Sequence, residues 1–398
     1  MTAQPCHPPN TIVLVYFDDL NDWIGPLGGN TRVHTPYLDS FAARGLTFLN
    51  AHCAAPVCNA SRCSVLLGRY PHETGIYGNG EWIFDYSDEA TLIEVLRDAG
   101  YRTVGRGKVF HAGIGQEGKE NRDNRRSPVW DDYWFAEARS TAFGGAVGGG
   151  LHAHRHEAER PGRYHEFDWG SPTDDPTLYR DHIHVDSAAE VLRRNKSEKL
   201  CLAVGFDATH IPWYAPSDYF DMYPLDSIVP PSWLEGDAPD VPEFVRKKIR
   251  KLGDDHALIA QHELWREAIQ AYQATISFLD FQVGRLLDQV DKYCDPDDTL
   301  VVALGDHGFH LGEKLAWRKS TLWEEATRVP LMVRGWGVPE GRECNRIVSL
   351  PDVFPTMSEI ASPANPESRS ASSVLPLLQD PDRRWPRQAL TTWKGTSH

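Results

Sequence analysis

The sequence predicts an α/β fold, with a large and mostly parallel sheet sandwiched by helices. Two observations support this fold class. Continuous apolar runs at residues 11–17, 200–206 and 299–304 lack the alternation of a half-exposed strand, as expected for strands buried on both faces. Helical patterns lie between these runs along the chain, which is typical of parallel strands connected by helices.

The connecting helices carry start and stop signals. Thr35 is predicted as the N-cap of the first helix, with Pro36 in its first turn and Gly45 after its end. Apolar residues at helical spacing predict a long helix over residues 261–290. The same signals predict three further elements: a helix over 88–99 closed by Gly100, and strands over 101–104 and 329–333.

The composition disfavours two classes of partner. The 398 residues include 41 Lys and Arg against 56 Asp and Glu, a net charge of −15, whereas nucleic-acid binding relies on cations that neutralise phosphates. No run approaches the roughly 18 apolar residues of a membrane span. The first ten residues have neither a basic leader nor an apolar signal core. We therefore expect a cytoplasmic protein, with reduced cysteines, that binds neither nucleic acid nor membranes.

Ionisable side chains follow four of the predicted strands, at the point where each strand ends. In an open α/β sheet, ligands bind beyond the carboxyl ends of the parallel strands. Taken singly, each residue has an ordinary interpretation as a turn, a cap, a solvated charge or a core histidine. Four strand ends that converge on one edge favour a functional site instead. The residues concerned are Asp18 and Asp19, Lys108 and His111, His210, and Asp306 and His307.

A divalent cation site is predicted among these residues. Asp18, Asp19, Asp306 and His307 offer mainly oxygen ligands, which favour Ca²⁺ or Mg²⁺, while the imidazole leaves Mn²⁺ or Zn²⁺ open. Two adjacent buried aspartates would repel each other without such a counter-charge. The cation therefore explains the acidic pair better than a salt bridge does.

The segment CNASRCSVLLG at residues 58–68 is the most informative part of the chain. Cys58 lies near the predicted start of a helix and four residues before Arg62, an environment that favours a thiolate. A buried structural cysteine is about equally expected from the spacing alone, because free cysteine is among the most buried residue types.

This segment resembles the signature C-x-[PA]-S-R of the type I, formylglycine-dependent sulfatases. Three other segments resemble the iduronate-2-sulfatase-like branch of the alkaline phosphatase superfamily: GYRTVGRGKVFH, LAVGFDATHIPWYAPSDYFDMYPL and GDHGFHLGEKLAWRKSTLWEEATRVPLMV. The similarity runs in order from about residue 11 to residue 386. It implies an alkaline phosphatase/sulfatase-like fold with a shortened C-terminal segment.

The resemblance implies that a maturation enzyme oxidises Cys58 to formylglycine. The hydrated aldehyde would attack sulfur and expel the alcohol, with His210 as general acid. Its second hydroxyl would then lose a proton, so that the aldehyde reforms and sulfate leaves. Arg62 would hold the nucleophile in place. The remaining roles would be Ca²⁺ ligation, with Mg²⁺ or Mn²⁺ as alternatives, by Asp18, Asp19, Asp306, His307 and modified Cys58, and sulfate contact by Lys108, His111, His210 and Lys319.

The domain organisation follows from the same resemblance. Residues 1–362 are predicted as the sulfatase catalytic domain, and residues 363–398 as a short C-terminal segment or a truncated second domain. Residues 113–175, which include GGAVGGG, are interpreted as a variable insertion near the pocket. Within them, His152, His154 and His156 are interpreted as a solvated loop rather than a metal-binding tract.

The predicted function is hydrolysis of a small sulfate monoester, of a sugar or another small alcohol. The acidic net charge makes a long polyanion less favourable as a substrate. Two alternatives remain from the sequence. One is a phosphonate or phosphate ester hydrolase with the same nucleophile and metal, and the other is a non-catalytic binding relative with unmodified Cys58.

Overall fold

The computed structural model describes residues 7–80, 83, 88–111, 129–136, 167–195, 198–231, 243 and 254–393. Its strands are β1 (Thr11–Phe17), β2 (Gly45–His52), β3 (Arg102–Gly107), β4 (Asp132–Trp134), β5 (Trp169–Gly170), β6 (Leu200–Gly205), β7 (Trp213–Tyr214), β8 (Thr299–Gly305), β9 (His310–Leu311), β10 (Trp317–Arg318), β11 (Leu331–Gly335) and β12 (Arg342–Ser349). Its α-helices are α1 (Pro36–Ala43), α2 (Cys58–Leu67), α3 (Pro71–Thr74), α4 (Leu92–Asp98), α5 (Arg180–Arg194), α6 (Ser217–Asp221), α7 (Asp254–Gln261), α8 (Trp265–Tyr293), α9 (Glu324–Thr327), α10 (Val353–Ala361) and α11 (Leu375–Gln379).

Eight of these strands form one sheet in the order β12-β2-β11-β8-β1-β6-β3-β4. The strands from β8 to β4 run parallel to one another, and β2 is parallel to β12. Only β11 is antiparallel to its neighbours within the sheet, where it joins β8 to β2. The predicted α/β class with a mostly parallel sheet is confirmed.

The central strand β1 shows why its sequence has no polar alternation. Ile12, Leu14 and Tyr16 belong to the core on the side of α2, α4 and α10. Val13 and its alternate neighbours belong to the core on the side of α5 and α8. Because helices cover both faces, all of these side chains are fully buried and an apolar residue is favoured at every position.

Gly45 follows the end of α1, as predicted, and it is also the first residue of β2. A Cβ atom there would lie 2.4 Å from the Val333 carbonyl oxygen of β11, so glycine permits the close approach of the two strands. Thr35 occupies the predicted N-cap position of α1, but without a side-chain cap hydrogen bond. Its Oγ1 accepts from the Gly25 amide at 2.9 Å and makes no cap to α1.

The predicted long helix is α8, which begins four residues later than expected, at Trp265, because Glu263 adopts a positive φ of 56° between α7 and α8. The helix predicted over residues 88–99 is shorter, and Thr91 and Glu94 form a capping box at its start. Within the predicted insertion at 113–175, β4 extends the main sheet and β5 pairs with β7. The GGAVGGG segment and the three histidines lie outside the described residues.

The last part of the chain packs on this body. Leu377 and Leu378 of α11 share the core that contains Phe354 of α10. Further along, the Thr392 amide donates to the Ala54 carbonyl at 2.8 Å. Among the described residues, no helix combines the length and apolarity that crossing a membrane requires.

Candidate active site

The four strands whose ends carry the predicted site residues are direct neighbours in the sheet, in the order β8-β1-β6-β3. Because all four are parallel, their carboxyl ends lie at one edge. Asp18 and Asp19 follow β1, Lys108 follows β3, and His210 lies in the turn after β6. Asp306 and His307 follow β8, so the structure places every predicted strand-end residue at this edge.

Cys58 is the first residue of α2 and is fully buried among the side chains of this edge. Its Sγ lies 2.8 Å from Lys319 Nζ, 3.1 Å from His307 Nε2 and 3.8 Å from Asp19 Oδ1. Burial raises the pKa of the thiol, and Lys319 only partly offsets that shift. The prediction that this environment favours a thiolate is therefore wrong, because burial and nearby carboxylates outweigh the cation.

Arg62 lies one helical turn after Cys58 and is also fully buried. Its Nε donates to Asp306 Oδ2 at 2.9 Å, and its second amino group donates to Asp18 Oδ1 at 3.2 Å. The remaining amino group donates to the carbonyls of Lys108 and Val109. A single guanidinium therefore joins the ends of β1, β3 and β8, which fixes the two carboxylates relative to α2.

The two adjacent aspartates each contact a lysine. Lys108 Nζ pairs with Asp18 Oδ2, and Lys319 Nζ donates to Asp19 Oδ1 at 2.5 Å. Burial alone would raise the pKa of both carboxyls. For Asp18, Lys108 and Arg62 outweigh burial and hold the pKa well below its usual range. For Asp19, Lys319 and His210 have the same effect, so both carboxylates are charged at neutral pH.

His307 presents a lone pair to the site. Its Nδ1 lies 2.9 Å from the Gly308 carbonyl oxygen, which only accepts hydrogen bonds, so Nδ1 carries the proton. Its Nε2 lone pair therefore faces Cys58 Sγ and Asp19 Oδ1, the latter at 3.3 Å. A carbonyl that fixes the tautomer in this way is the usual arrangement of a metal-ligating histidine.

One set of donor atoms in this edge is close enough to share a metal ion. We call Asp18, Asp19, Cys58 and His307 the Cys58 cluster; each offers one atom, and these atoms lie within 4.8 Å of one another. Asp19 Oδ2 is buried without a hydrogen-bond partner, so a ligating atom is available. Asp306, also predicted as a ligand, lies beside the cluster. Its Oδ1 accepts from the amides of Asp19 and His307 at 3.1 and 2.9 Å.

Three further predicted residues surround the cluster. His210 Nε2 lies 4.0 Å from Asp19 Oδ2, and burial together with Lys108 lowers the pKa of this imidazole to about 4. His111 follows β3, and its Nδ1 is buried without a hydrogen-bond partner. Burial and Lys108 lower the pKa of His111 to about 3. Lys319 follows the short strand β10 and reaches the cluster through the contacts given above.

A cavity of about 420 Å³ adjoins the edge of the sheet that carries these residues. Lys108 and His210 lie on its wall, together with residues that sequence reasoning missed. Asp207 lies two residues after the end of β6, so the rule applied to the other strand ends would have found it. Arg180 and Asp181 begin α5, far away in sequence, and carry no comparable signal. The missed residues are Tyr179, Arg180, Asp181, Asp207, Tyr214, Thr275 and Phe278.

A second set of potential ligands lies beside this cavity. We call Asp181, His184 and Asp207 the His184 cluster, and their donor atoms also lie within 4.8 Å of one another. Asp181 accepts from the amides of Asp207 and Ala208 at 2.8 and 3.0 Å. The Ala136 amide donates to His184 Nε2 at 3.1 Å, so Nδ1 carries the proton and has no lone pair for a metal.

At this edge the fold brings together a buried cysteine, a set of possible metal ligands and lysine side chains that could bind an anionic substrate. The family model of the sulfatases matches residues 10–363. The chain therefore belongs to the sulfatase family and is an enzyme that hydrolyses sulfate esters. Formylglycine and a divalent metal are typical of this family.

Individual relatives agree with this assignment. A sulfatase of Formosa agariphila is 32% identical over 409 residues, which cover 98% of this chain and 76% of that protein. The iduronate 2-sulfatase of Homo sapiens is 29% identical, over 88% of this chain and 64% of that protein. The phosphonate monoester hydrolase of Agrobacterium radiobacter has the same fold, with a TM-score of 0.73 at 18% identity over 93% of this chain and 77% of that one. The predicted resemblance to iduronate-2-sulfatase-like enzymes is confirmed.

Proposed function

We propose that the protein cleaves the sulfate monoester of a sugar or another small alcohol, with formylglycine derived from Cys58 as the nucleophile. The observation that carries this proposal is the position of Cys58 at the start of α2, with Lys319 Nζ at 2.8 Å and His307 Nε2 at 3.1 Å. A buried thiol with a raised pKa is a weak nucleophile. A sulfated thiol would also be stable, whereas a sulfated aldehyde hydrate releases sulfate when its second hydroxyl loses a proton.

The donor atoms of the Cys58 cluster fit a hard divalent cation. Asp18, Asp19 and His307 would hold it together with Asp306 and the modified side chain at position 58. Oxygen-dominated ligation favours Ca²⁺, with Mg²⁺ or Mn²⁺ as alternatives. When bound, the cation supplies positive charge that stabilises the deprotonated nucleophile and one sulfate oxygen.

The chain's own cations bind and orient the sulfate group. Lys108 lines the cavity and Lys319 Nζ lies 2.8 Å from Cys58 Sγ, so both amines are placed to donate to sulfate oxygens. His111 has a buried Nδ1 with no partner, which provides a further donor or acceptor at the same edge. These groups offset the negative charge of the substrate, while Arg62 keeps α2 and the two carboxylates in register.

His210 is the proposed general acid for the leaving alcohol. Its Nδ1 donates to the Ile211 carbonyl at 2.5 Å, so Nε2 is the atom that can exchange a proton with the substrate. With a pKa of about 4, the free imidazole is neutral at pH 7. A bound sulfate ester brings negative charge next to the ring, which raises the pKa and favours the protonated form when substrate is present.

The remaining parts of the proposal concern maturation and domain organisation. A formylglycine-generating enzyme would convert Cys58 before α2 is buried, since the thiol is inaccessible in the folded protein. Residues 1–362 would form the catalytic domain, and residues 363–398 a short segment attached to it.

The test combines mass spectrometry with a substrate panel. Protein co-expressed with a formylglycine-generating enzyme is digested, and the peptide across Cys58 should show conversion of the thiol to an aldehyde. Hydrolysis of sulfate monoesters should rise with the converted fraction, and Cys58→Ala should abolish it while thermal unfolding stays cooperative. A matched control is Cys63→Ala in the same helix, which should retain turnover. Full activity with unconverted Cys58, or greater catalytic efficiency on an aryl phosphonate than on an aryl sulfate, would contradict the proposal.

A further inference from the structure

The cavity beside this edge of the sheet, where β8, β1, β6 and β3 end, has the dimensions and position of a site for the alcohol half of the substrate. Its volume of about 420 Å³ lies within the usual range of small-molecule pockets, roughly 300–1,000 Å³. Lys108 and His210 form part of its wall, so a ligand in the cavity is adjacent to the proposed sulfate-binding groups. Rings of Tyr179, Tyr214 and Phe278 provide apolar surface around it.

Most polar groups on this wall already have partners within the protein. The Tyr179 hydroxyl donates to the Thr173 carbonyl at 2.8 Å, and the Tyr214 hydroxyl donates to Asp168 Oδ2 at 2.5 Å. The Thr275 hydroxyl donates to the Ala271 carbonyl at 2.7 Å. Both oxygens of Asp181 accept backbone amides, as described above. These groups shape the cavity but have little capacity left for a ligand.

Asp207 and Arg180 differ from the other wall residues. Asp207 Oδ2 is buried and has no hydrogen-bond partner. Arg180 Nη1 lies 3.8 Å from Asp207 Oδ2, beyond hydrogen-bond distance. A buried carboxylate oxygen without a partner costs free energy, and burial and Asp181 accordingly raise the pKa of Asp207. Asp207 and Arg180 therefore place an unpaired acceptor and a cationic donor side by side at this cavity.

We propose that Asp207 and Arg180 bind the free hydroxyl groups of a sulfated sugar ring and thereby select the alcohol half of the substrate. A hydroxyl group both donates and accepts, so it can donate to Asp207 and accept from Arg180 across the gap between them. This inference rests on the proposed function, and it assigns a specificity-determining pair to that function.

The same pair disfavours other sulfate esters that the proposed sulfate-binding groups could hold. An aryl sulfate has no hydroxyl group to satisfy Asp207, so its carboxylate would be desolvated without a partner. Choline sulfate would place a cation near the guanidinium of Arg180, which is held over the Phe135 ring at 5.6 Å. A neutral polyhydroxylated ring avoids both costs.

The position of Asp207 in the chain couples alcohol binding to catalysis. The His210 amide donates to the Asp207 carbonyl at 2.8 Å, so both residues belong to one turn after β6. The side chain that would recognise the alcohol and the imidazole that would protonate it are therefore held in a fixed relation. Binding of the correct alcohol would place its ester oxygen near His210.

The experiment measures kcat/KM for pyranosides carrying one sulfate group at each ring position in turn, with 4-nitrophenyl sulfate and choline sulfate for comparison. Asp207→Asn and Arg180→Gln should each lower the ratio of kcat/KM for the best sugar sulfate to that for the aryl sulfate by about 10-fold to 100-fold. The controls are Asp218→Asn on α6 and Arg194→Gln at the end of α5, both exposed, which should leave this ratio unchanged. Cooperative thermal unfolding of each variant shows that it is folded.

Three outcomes would overturn the inference: an unchanged ratio, an equal loss on sugar and aryl sulfates, or a wild-type preference for choline sulfate. Calorimetric binding of the monosulfated sugars to the Cys58→Ala protein, with and without Asp207→Asn, tests the pair without turnover. If the wild-type enzyme hydrolyses no sulfate ester but these sugars bind and Asp207→Asn weakens binding, the proposed reaction fails and the pair stands. If the enzyme hydrolyses sulfate esters and Asp207→Asn leaves binding unchanged, only the pair fails.

Discussion

The Cys58 cluster and the His184 cluster contain similar residues at similar spacing, yet only one is suited to a metal ion. Both bring aspartate and histidine atoms within 4.8 Å of one another at the same end of the sheet. In the Cys58 cluster, the proton of His307 is on Nδ1 and the lone pair of Nε2 points to Asp19 and Cys58. In the His184 cluster, the amide of Ala136 occupies the lone pair of Nε2. The direction of the lone pairs, rather than proximity, distinguishes the two.

The carboxylates of the two clusters differ in the same way. Asp19 has one oxygen with a lysine partner and one buried oxygen with none. Both carboxylate oxygens of Asp181 accept hydrogen bonds from backbone amides in the turn after β6. The first arrangement leaves an atom for a cation, and the second stabilises a loop. We therefore propose that the Cys58 cluster binds a metal ion and that the His184 cluster positions the turn that carries Asp207 and His210.

Among the aspartates and histidines of the two sites, the largest effect is expected from Asp19→Asn. This change removes a ligand charge and leaves Lys319 without its carboxylate partner, so metal affinity and sulfate ester turnover should fall together, by at least about 100-fold, since even outer partners of metal ligands cost 10-fold to 100-fold. Metal content by mass spectrometry and kcat/KM are the measurements. The control Asp22→Asn lies outside the cluster and should keep its metal. A variant that keeps a full complement of metal would remove Asp19 from the ligand set.

A smaller loss is expected from Asp306→Asn. Asp306 accepts hydrogen bonds from the backbone amides of Asp19 and His307 and from Arg62. The NH₂ group of an asparagine at this position would face one of these donors and lose that hydrogen bond. Metal affinity and rate should both fall by about 10-fold to 100-fold, the usual range for residues that orient metal ligands. Titration of metal-free protein with Ca²⁺ and Mn²⁺ measures the metal affinity, and turnover at saturating metal measures the rate. Unchanged affinity with an unchanged rate would show that Asp306 has neither a ligating nor an orienting role.

The Cys58 cluster was predicted from the sequence and the His184 cluster was not, for a physical reason. Asp18 and Asp306 follow buried apolar strands, and parallel strands bring such residues to one edge without any knowledge of side-chain contacts. The His184 cluster joins a helix that begins at Arg180 to the end of β6, and its character depends on the backbone amide of Ala136. Neither the contact nor the tautomer leaves a pattern in the sequence.

The same distinction explains the errors in the fold. The parallel strands were predicted because both faces of β1 are buried and its sequence is uniformly apolar. The strand β2 was not predicted from the sequence. Its first residue is Gly45, and a glycine at this point indicates a helix end unless the neighbouring strand β11 is known. Close approach between strands is a tertiary requirement, and only the assembled sheet shows that it selects glycine at this position.

The positioning role of Asp181 can be separated from metal binding. Asp181→Asn replaces one acceptor oxygen by a donor that faces a backbone amide, which should loosen the turn that carries His210. We expect kcat/KM for sulfate esters to fall by about 10-fold, which corresponds to about 1.4 kcal/mol, with metal content unchanged. The fall should be similar for sugar and aryl sulfates, unlike that of Asp207→Asn. Loss of metal in this variant would show that the two clusters are not independent.

The smallest effect on activity is expected at His184. His184→Leu introduces an apolar side chain and leaves the buried Ala136 amide without an acceptor. The free energy of unfolding should therefore fall by about 1–3 kcal/mol. His184→Gln can place an oxygen where Nε2 lies and should recover part of that loss. Both variants should retain the metal content and turnover of the wild-type enzyme, measured beside urea unfolding. Loss of a bound metal from either variant would mean that the His184 cluster ligates an ion, and that the orientation of its lone pairs does not separate it from the Cys58 cluster.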